Sequence, residues 1–188
     1  LNDFMEYSDL YNYHAYANEG KSFEKAPSLD SVELAENRNI LTAYGYDNRR
    51  TWVTEGGIAI ADNVERSRSQ QARASVINNV QSMANGNDKH FLFVMPQYSE
   101  TGDNEYGFFL KNRTPSPAYS SLETFTYYMG EARYRGVIRD LPEGTYGYLF
   151  NNGDKDIAVF WTESNDGYVQ VTSSGNAVMA DMMGNEKV

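Results

Sequence analysis

The hydrophobic pattern of this chain follows one rule up to Gly130 and another after it. Three segments before that point repeat a strand-then-helix plan. The first is "DLYNYHAYA", a polar loop through Pro27, and a helix carrying Leu34, Leu41 and Tyr44. Asp30 and Glu33 (D-S-V-E) read as the capping box that opens this helix, and Gly45 as its stop. The second is "RTWVTEGG" and a longer helix with Ala72, Val76, Val80 and Met83 in one apolar stripe, ended by "ANGND". The third is "KHFLFVMPQYSE", an apolar run too continuous for a half-exposed strand. After a loop with "GDNEYG" comes a helix opened by Ser116 and Pro117. Its buried face is Tyr119, Leu122, Phe125 and Met129, and Gly130 ends it.

The strand centres at Tyr13, Trp52 and Leu92 are 39 and 40 residues apart, a usual pitch for βα units around a parallel sheet. Such a sheet is either a TIM-type (β/α)8 barrel or an open doubly wound sheet. The nucleotide-binding form of the open sheet has no support, because neither G-x-G-x-x-G nor a P-loop occurs. The expected fold is therefore α/β, a partial TIM barrel. From about Thr145 the runs "TYGYLF", "IAVFWT", "YVQVT" and "AVMAD" alternate with turn-rich stretches, which predicts a small antiparallel module. The expected division is 1–136 for the barrel portion and 137–188 for a β-sandwich-like module, incomplete at its end.

Composition then narrows the function. The 188 residues carry a net charge of −10, which argues against nucleic acid as a partner. No cysteine is present, so disulfides and thiolate metal sites are excluded. No apolar run reaches the ~20 residues of a membrane helix. Two distant histidines without clustered carboxylates make a poor ligand set, so neither metal nor cofactor is expected. The start "LNDFMEYSDLYNY" and the end "MADMMGNEKV" read as the interior of something longer, an internal fragment or a processed product. Fifteen tyrosines suit either aromatic packing in strands or platforms for the apolar faces of sugar rings.

In a barrel, side chains at the carboxyl ends of strands face the active site. Those ends supply His14 and Tyr16, then Glu55, then Gln97, Tyr98 and Glu100. Several also have a plainer reading. Glu55 opens an exposed loop with Gly56–Gly57 as a turn; His14 is a core or supporting histidine; Glu100 is a solvated loop residue.

Taken in order, "NYHAYAN", "WVTEGG", the Gln- and Ala-rich helix and "NRTPSPAYSSLETFTYYMG" resemble the last three βα units of retaining glycoside hydrolases of clan A, the 4/7 superfamily. The resemblance spans about residues 5 to 136. It implies that Glu55, in its T-E-G context, is the nucleophile at the end of the seventh strand. It implies that His14 and Tyr16 form the H-x-Y motif of the sixth strand, with the tyrosine bonded to the nucleophile. Pro115, Pro117, Ala118 and Tyr119 match the helix start after the eighth strand. A strand tip holds a nucleophile rigidly, and the two glycines are expected to turn the backbone away and leave room for the sugar.

The same resemblance places the acid/base glutamate on a fourth strand, outside this chain, so the N-terminal half of the barrel is an expected partner alongside a carbohydrate substrate. It also implies a secreted, periplasmic or cell-surface setting. The alternative is a non-catalytic carbohydrate-binding relative that keeps the aromatic cleft.

Overall fold

In chain order the structure, a computed structural model, contains β1 (Leu10–Tyr16), α1 (Pro27–Ala43), β2 (Arg50–Gly57), α2 (Glu65–Ala84), β3 (Lys89–Leu92) and α3 (Pro117–Met129). It describes residues 4–16, 27–60, 65–100, 105–162 and 168–187. The three strands form a parallel sheet in the order β1-β2-β3. Among the described residues, β1 and β3 each pair along one edge only.

Hydrogen bonds show which face of this sheet the helices cover. Tyr11 Oη donates to Asn37 Oδ1 of α1 at 2.7 Å, and Arg38 Nη2 of α1 donates to Thr51 Oγ1 at 2.7 Å. Tyr13 Oη donates to Asn87 Oδ1, just past α2, at 2.9 Å. Tyr11, Tyr13, Thr51 and Val53 therefore look toward the helices, where Thr51 and Val53 are buried.

The local signals hold unevenly. The helix α1 begins at Pro27, so Asp30 and Glu33 lie inside its first turns rather than capping it. Proline suits the first helical position, whose N–H has no intrahelical acceptor. The side chains of residues 27–34, including Leu34, lie outside the described set. Leu41 is buried, Tyr44 is exposed beyond the helix end, and Gly45 adopts φ +78°. In α3, Pro117 takes the expected early position, but the Ser116 side chain forms no capping hydrogen bond, and Gly130 stays right-handed.

The third strand is much shorter than its apolar run. It ends at Leu92, and Phe93 N donates a last bond to Gly56 O at 2.7 Å. The chain then leaves the sheet to pair with its own returning loop, through Phe108 N to Val94 O (3.0 Å) and Tyr106 N to Tyr98 O (3.0 Å).

Beyond α3 lie β4 (Arg133–Val137), β5 (Thr145–Asn151) and β6 (Asp156–Thr162), an antiparallel sheet in that order, and a short pair β7 (Met179–Ala180) and β8 (Glu186–Lys187). The run "YVQVT" forms no strand: Tyr168 is 93% exposed and Val171 60%, and alternation without a partner strand stabilises nothing. The three-stranded sheet packs directly on α2 and α3. Phe150 of β5 joins Val80, Met129 and Ala132 in one core, flanked by Val76, Met83, Phe125 and Trp161.

Helix α2 thus lies between two layers, which explains why it buries Gln71, Ser75, Asn78 and Ser82 as well as Ala72 and Val80 of its apolar stripe. Of these, Ser75 is satisfied by the helix's own backbone, its Oγ donating to Gln71 O at 2.8 Å. No helix among the described residues is long and apolar enough to cross a membrane.

Candidate active site

Strand parity decides where the candidate residues point. In β1 simple alternation turns Tyr11, Tyr13 and buried Ala15 to the helices, and Asn12, His14 and Tyr16 to the opposite, open face. In β2 the same rule, counted from Val53, would leave Thr54 on the open face and send Glu55 to the helices. Both neighbouring strands instead skip one residue of β2. Tyr13 pairs with Val53 and His14 with Glu55, while His90 pairs with Val53 and Leu92 with Gly56. The surplus residue is a β-bulge, which re-aims the side chain that follows it. Glu55 thereby joins His14 and Tyr16.

The resulting contacts are short. Tyr16 Oη donates to Glu55 Oε2 at 2.7 Å, and His14 Nδ1 lies 3.3 Å from the same oxygen. The Glu55 side chain is 38% exposed and that of His14 55%, so the group is open to a ligand. The Tyr16 phenol is held well above its ordinary pKa, by burial first, then by its hydrogen bond to Glu55 and by that carboxylate's charge. It therefore stays a donor at any pH the protein meets.

Rings surround this carboxylate. Tyr16 meets Phe93 at 6.2 Å and Tyr106 at 6.0 Å, both edge-to-face; Phe93 meets Tyr106 at 5.5 Å and Tyr98 at 5.1 Å in the same manner. Tyr106 is buried, and its backbone is pinned by Gln71 of α2, whose amide donates to Tyr106 O and Ile58 O at 3.1 Å each.

Of the six residues expected from the sequence, His14, Tyr16 and Glu55 stand together. Tyr98 reaches them through Phe93. Because β3 ends at Leu92, Gln97, Tyr98 and Glu100 lie on an exposed loop rather than at a strand tip. Glu100 Oε1 accepts from Tyr98 Oη at 3.3 Å, and the Gln97 amide donates to Ser99 Oγ at 3.1 Å, within its own loop. Sequence reading missed Phe93, which looks like core in an apolar run, and Tyr106, which sits in a polar loop.

The two glycines serve a different purpose from the one expected. Both complete β2 rather than turning out of it. A Cβ on Gly56 would run into His90 Nε2 and lie 2.9 Å from Ala15 O, and one on Gly57 would lie 2.6 Å from Phe93 O. They permit close approach of neighbouring backbone. The obstacle at Gly57 is a carbonyl and cannot swing aside. Gly57→Ala is accordingly expected to destabilise the fold by about 1–3 kcal/mol, read from the shift in a urea unfolding midpoint.

Among the described residues no three His, Asp or Glu side chains gather as a metal site. No protein-family model matches the chain, and no curated protein is similar to it in sequence. In structure it is similar to a family 39 glycoside hydrolase from the gut symbiont Bacteroides cellulosilyticus WH2, with a TM-score of 0.76 over 97% of this chain at 15% identity. This chain spans 40% of the length of that protein. It also matches the endo-beta-1,4-mannanase from Thermotoga petrophila, at a TM-score of 0.42 and 12% identity over 81% of this chain and 46% of that one. At 15% identity the first likeness is one of fold: a mixed α/β chain, with a parallel three-stranded sheet and an antiparallel sheet, built like part of a glycoside hydrolase.

Proposed function

We propose that this chain is the C-terminal portion of a retaining β-glycoside hydrolase, with β1, β2 and β3 as the last three strands of a (β/α)8 barrel and Glu55 as the nucleophile. The observation that carries the reading is the convergence of Tyr16 and His14 on one oxygen of Glu55, at the carboxyl ends of adjacent parallel strands. The fold likeness supports it. The edges of β1 and β3 that no strand pairs among the described residues are where further barrel strands add.

In this reaction a Glu55 oxygen attacks the anomeric carbon while the bond to the leaving oxygen breaks, and that oxygen takes a proton from an acid contributed outside these residues. A glycosyl ester on Glu55 results. Water, deprotonated by the same acid/base, then cleaves the ester and restores the carboxylate. Both the Tyr16 and the His14 contacts fall on Oε2, so Oε1 is the attacking oxygen, and Tyr16 and His14 hold the carboxylate at a fixed angle. The rings of Tyr16, Phe93 and Tyr98 offer apolar surface to the sugar.

Incubation of the full protein with a 2-fluoro glycoside that accumulates as the ester, followed by peptide mapping, is expected to show the label on Glu55. A label on another carboxylate refutes the assignment. A saccharide that binds without any label points to the non-catalytic relative, which the same ring cluster also suits.

A further inference from the structure

Two carboxylates stand at the ends of one chain of contacts. Glu55 accepts from Tyr16 at 2.7 Å, Tyr16 meets the edge of Phe93, Phe93 meets Tyr98 at 5.1 Å, and Tyr98 donates to Glu100 at 3.3 Å. Cations lie elsewhere. Arg50 pairs with Asp88, and Arg68 and Lys111 pair with Glu105. Among the described residues neither Glu55 nor Glu100 has a Lys or Arg partner within ion-pair distance. Among the described residues His14 is the basic side chain that meets Glu55, and it is charged only when protonated.

Both tyrosines respond to both charges. The Tyr98 phenol is raised first by Glu100 and also by Glu55, and Tyr16, raised chiefly by burial, is pushed further by Glu55 and Glu100. Two negative groups thus act on the same two phenols. Glu100 is exposed on its loop.

We propose that the rim formed by Tyr98 and Glu100 sets the charge class of sugar this site accepts: uncharged and amine-bearing saccharides enter, and those carrying a carboxylate or sulfate are turned away. The inference rests on the carbohydrate reading above and adds to it the chemistry of the substrate. Hydroxyls donate to the Glu100 carboxylate, and an ammonium group gains both its charge and the ring faces. An anionic sugar meets like charge from Glu55 and Glu100, which have no Lys or Arg partner among the described residues.

The test uses three β-1,4-linked gluco-trisaccharides that share one backbone: unsubstituted, bearing the 2-amino group, and oxidised to the uronate at C6. Their affinities for the full protein are measured by calorimetry near neutral pH at low and high salt. The amine and the neutral sugar are expected to bind at least about tenfold more tightly than the uronate at low salt, and the ratio to shrink as salt is added. In Glu100→Gln that ratio is expected to fall several-fold, the remainder disappearing when Glu55→Gln is added. A uronate bound as tightly as its neutral twin overturns the charge rule and leaves the glycosidase reading intact, as does a ratio indifferent to Glu100→Gln. Failure of all three sugars to bind overturns both.

Discussion

Glu55→Ala, made in the full protein, is expected to slow hydrolysis of an activated aryl β-glycoside by roughly 10³-fold or more, and added azide is expected to restore turnover with an α-glycosyl azide as the product. The loss follows from role: a nucleophile carries the covalent path, and nothing else in the cluster replaces it. Tyr16 stays protonated, and His14 lies against the same carboxylate oxygen. The stereochemistry makes the result diagnostic. Azide entering the space vacated by the carboxylate attacks from the face opposite the leaving group, so a β-glycoside yields the α product. Glu55→Gln fills that space and is expected to be equally slow but beyond rescue. Near wild-type rates in either variant, or a β-glycosyl azide, sink the nucleophile assignment, whereas a merely structural carboxylate gives no azide product at all.

The second large effect concerns folding. His90 lies on the helix-facing side of β3 with its ring against Gly56, and neither ring nitrogen has a hydrogen-bond partner. Burial pushes its pKa from 6.5 down to about 4. In the unfolded chain the imidazole charges below about 6.5, while in the folded protein it resists charging until about 4. Stability from this source is therefore complete above the unfolded value and is lost as pH falls toward the folded one. At 1.36 kcal/mol per pKa unit the loss is on the order of 3 kcal/mol.

Unfolding free energies measured by urea from pH 7.5 to 4 are expected to decline over that window in the wild type. They are expected to decline markedly less in His90→Leu, which keeps an apolar group of similar size against Gly56. Carboxylates elsewhere titrate in both proteins, so the difference between the two curves isolates the histidine. Parallel curves are the outcome that rules it out.

How much of this could be read from residue order alone depends on the range of the interaction. Tyr16 and His14 were legible because they alternate without interruption along β1, and Glu55 because it follows the strand-forming run 51–54 at a regular pitch from the first strand. The ring cluster was not. Phe93, Tyr98 and Tyr106 meet only because the chain abandons β3 and folds back through backbone bonds between 94–98 and 106–108, and an apolar run carries no mark of where its ladder stops.

The strand β4 was missed for the opposite reason. Its exposed Arg133 and Arg135 look like loop chemistry, although charged side chains are common on an outer strand. "YVQVT" alternates well and still forms nothing, because pairing is decided by what lies alongside. The burial of Gln71 and Asn78 on α2 likewise depends on a second layer arriving from the far end of the chain.

The one-residue irregularity at Thr54 has a bearing on how such a site survives change. The direction of the Glu55 carboxylate is an odd-or-even property of the ladder, fixed by how many residues separate it from Val53, and no surrounding loop has a vote in it. Insertions and exchanges in the segments that line the mouth can thus redraw what the pocket admits while its central acid keeps its heading. Were Thr54 drawn back into a regular ladder, the acid would turn into the helical layer, however well every loop was preserved.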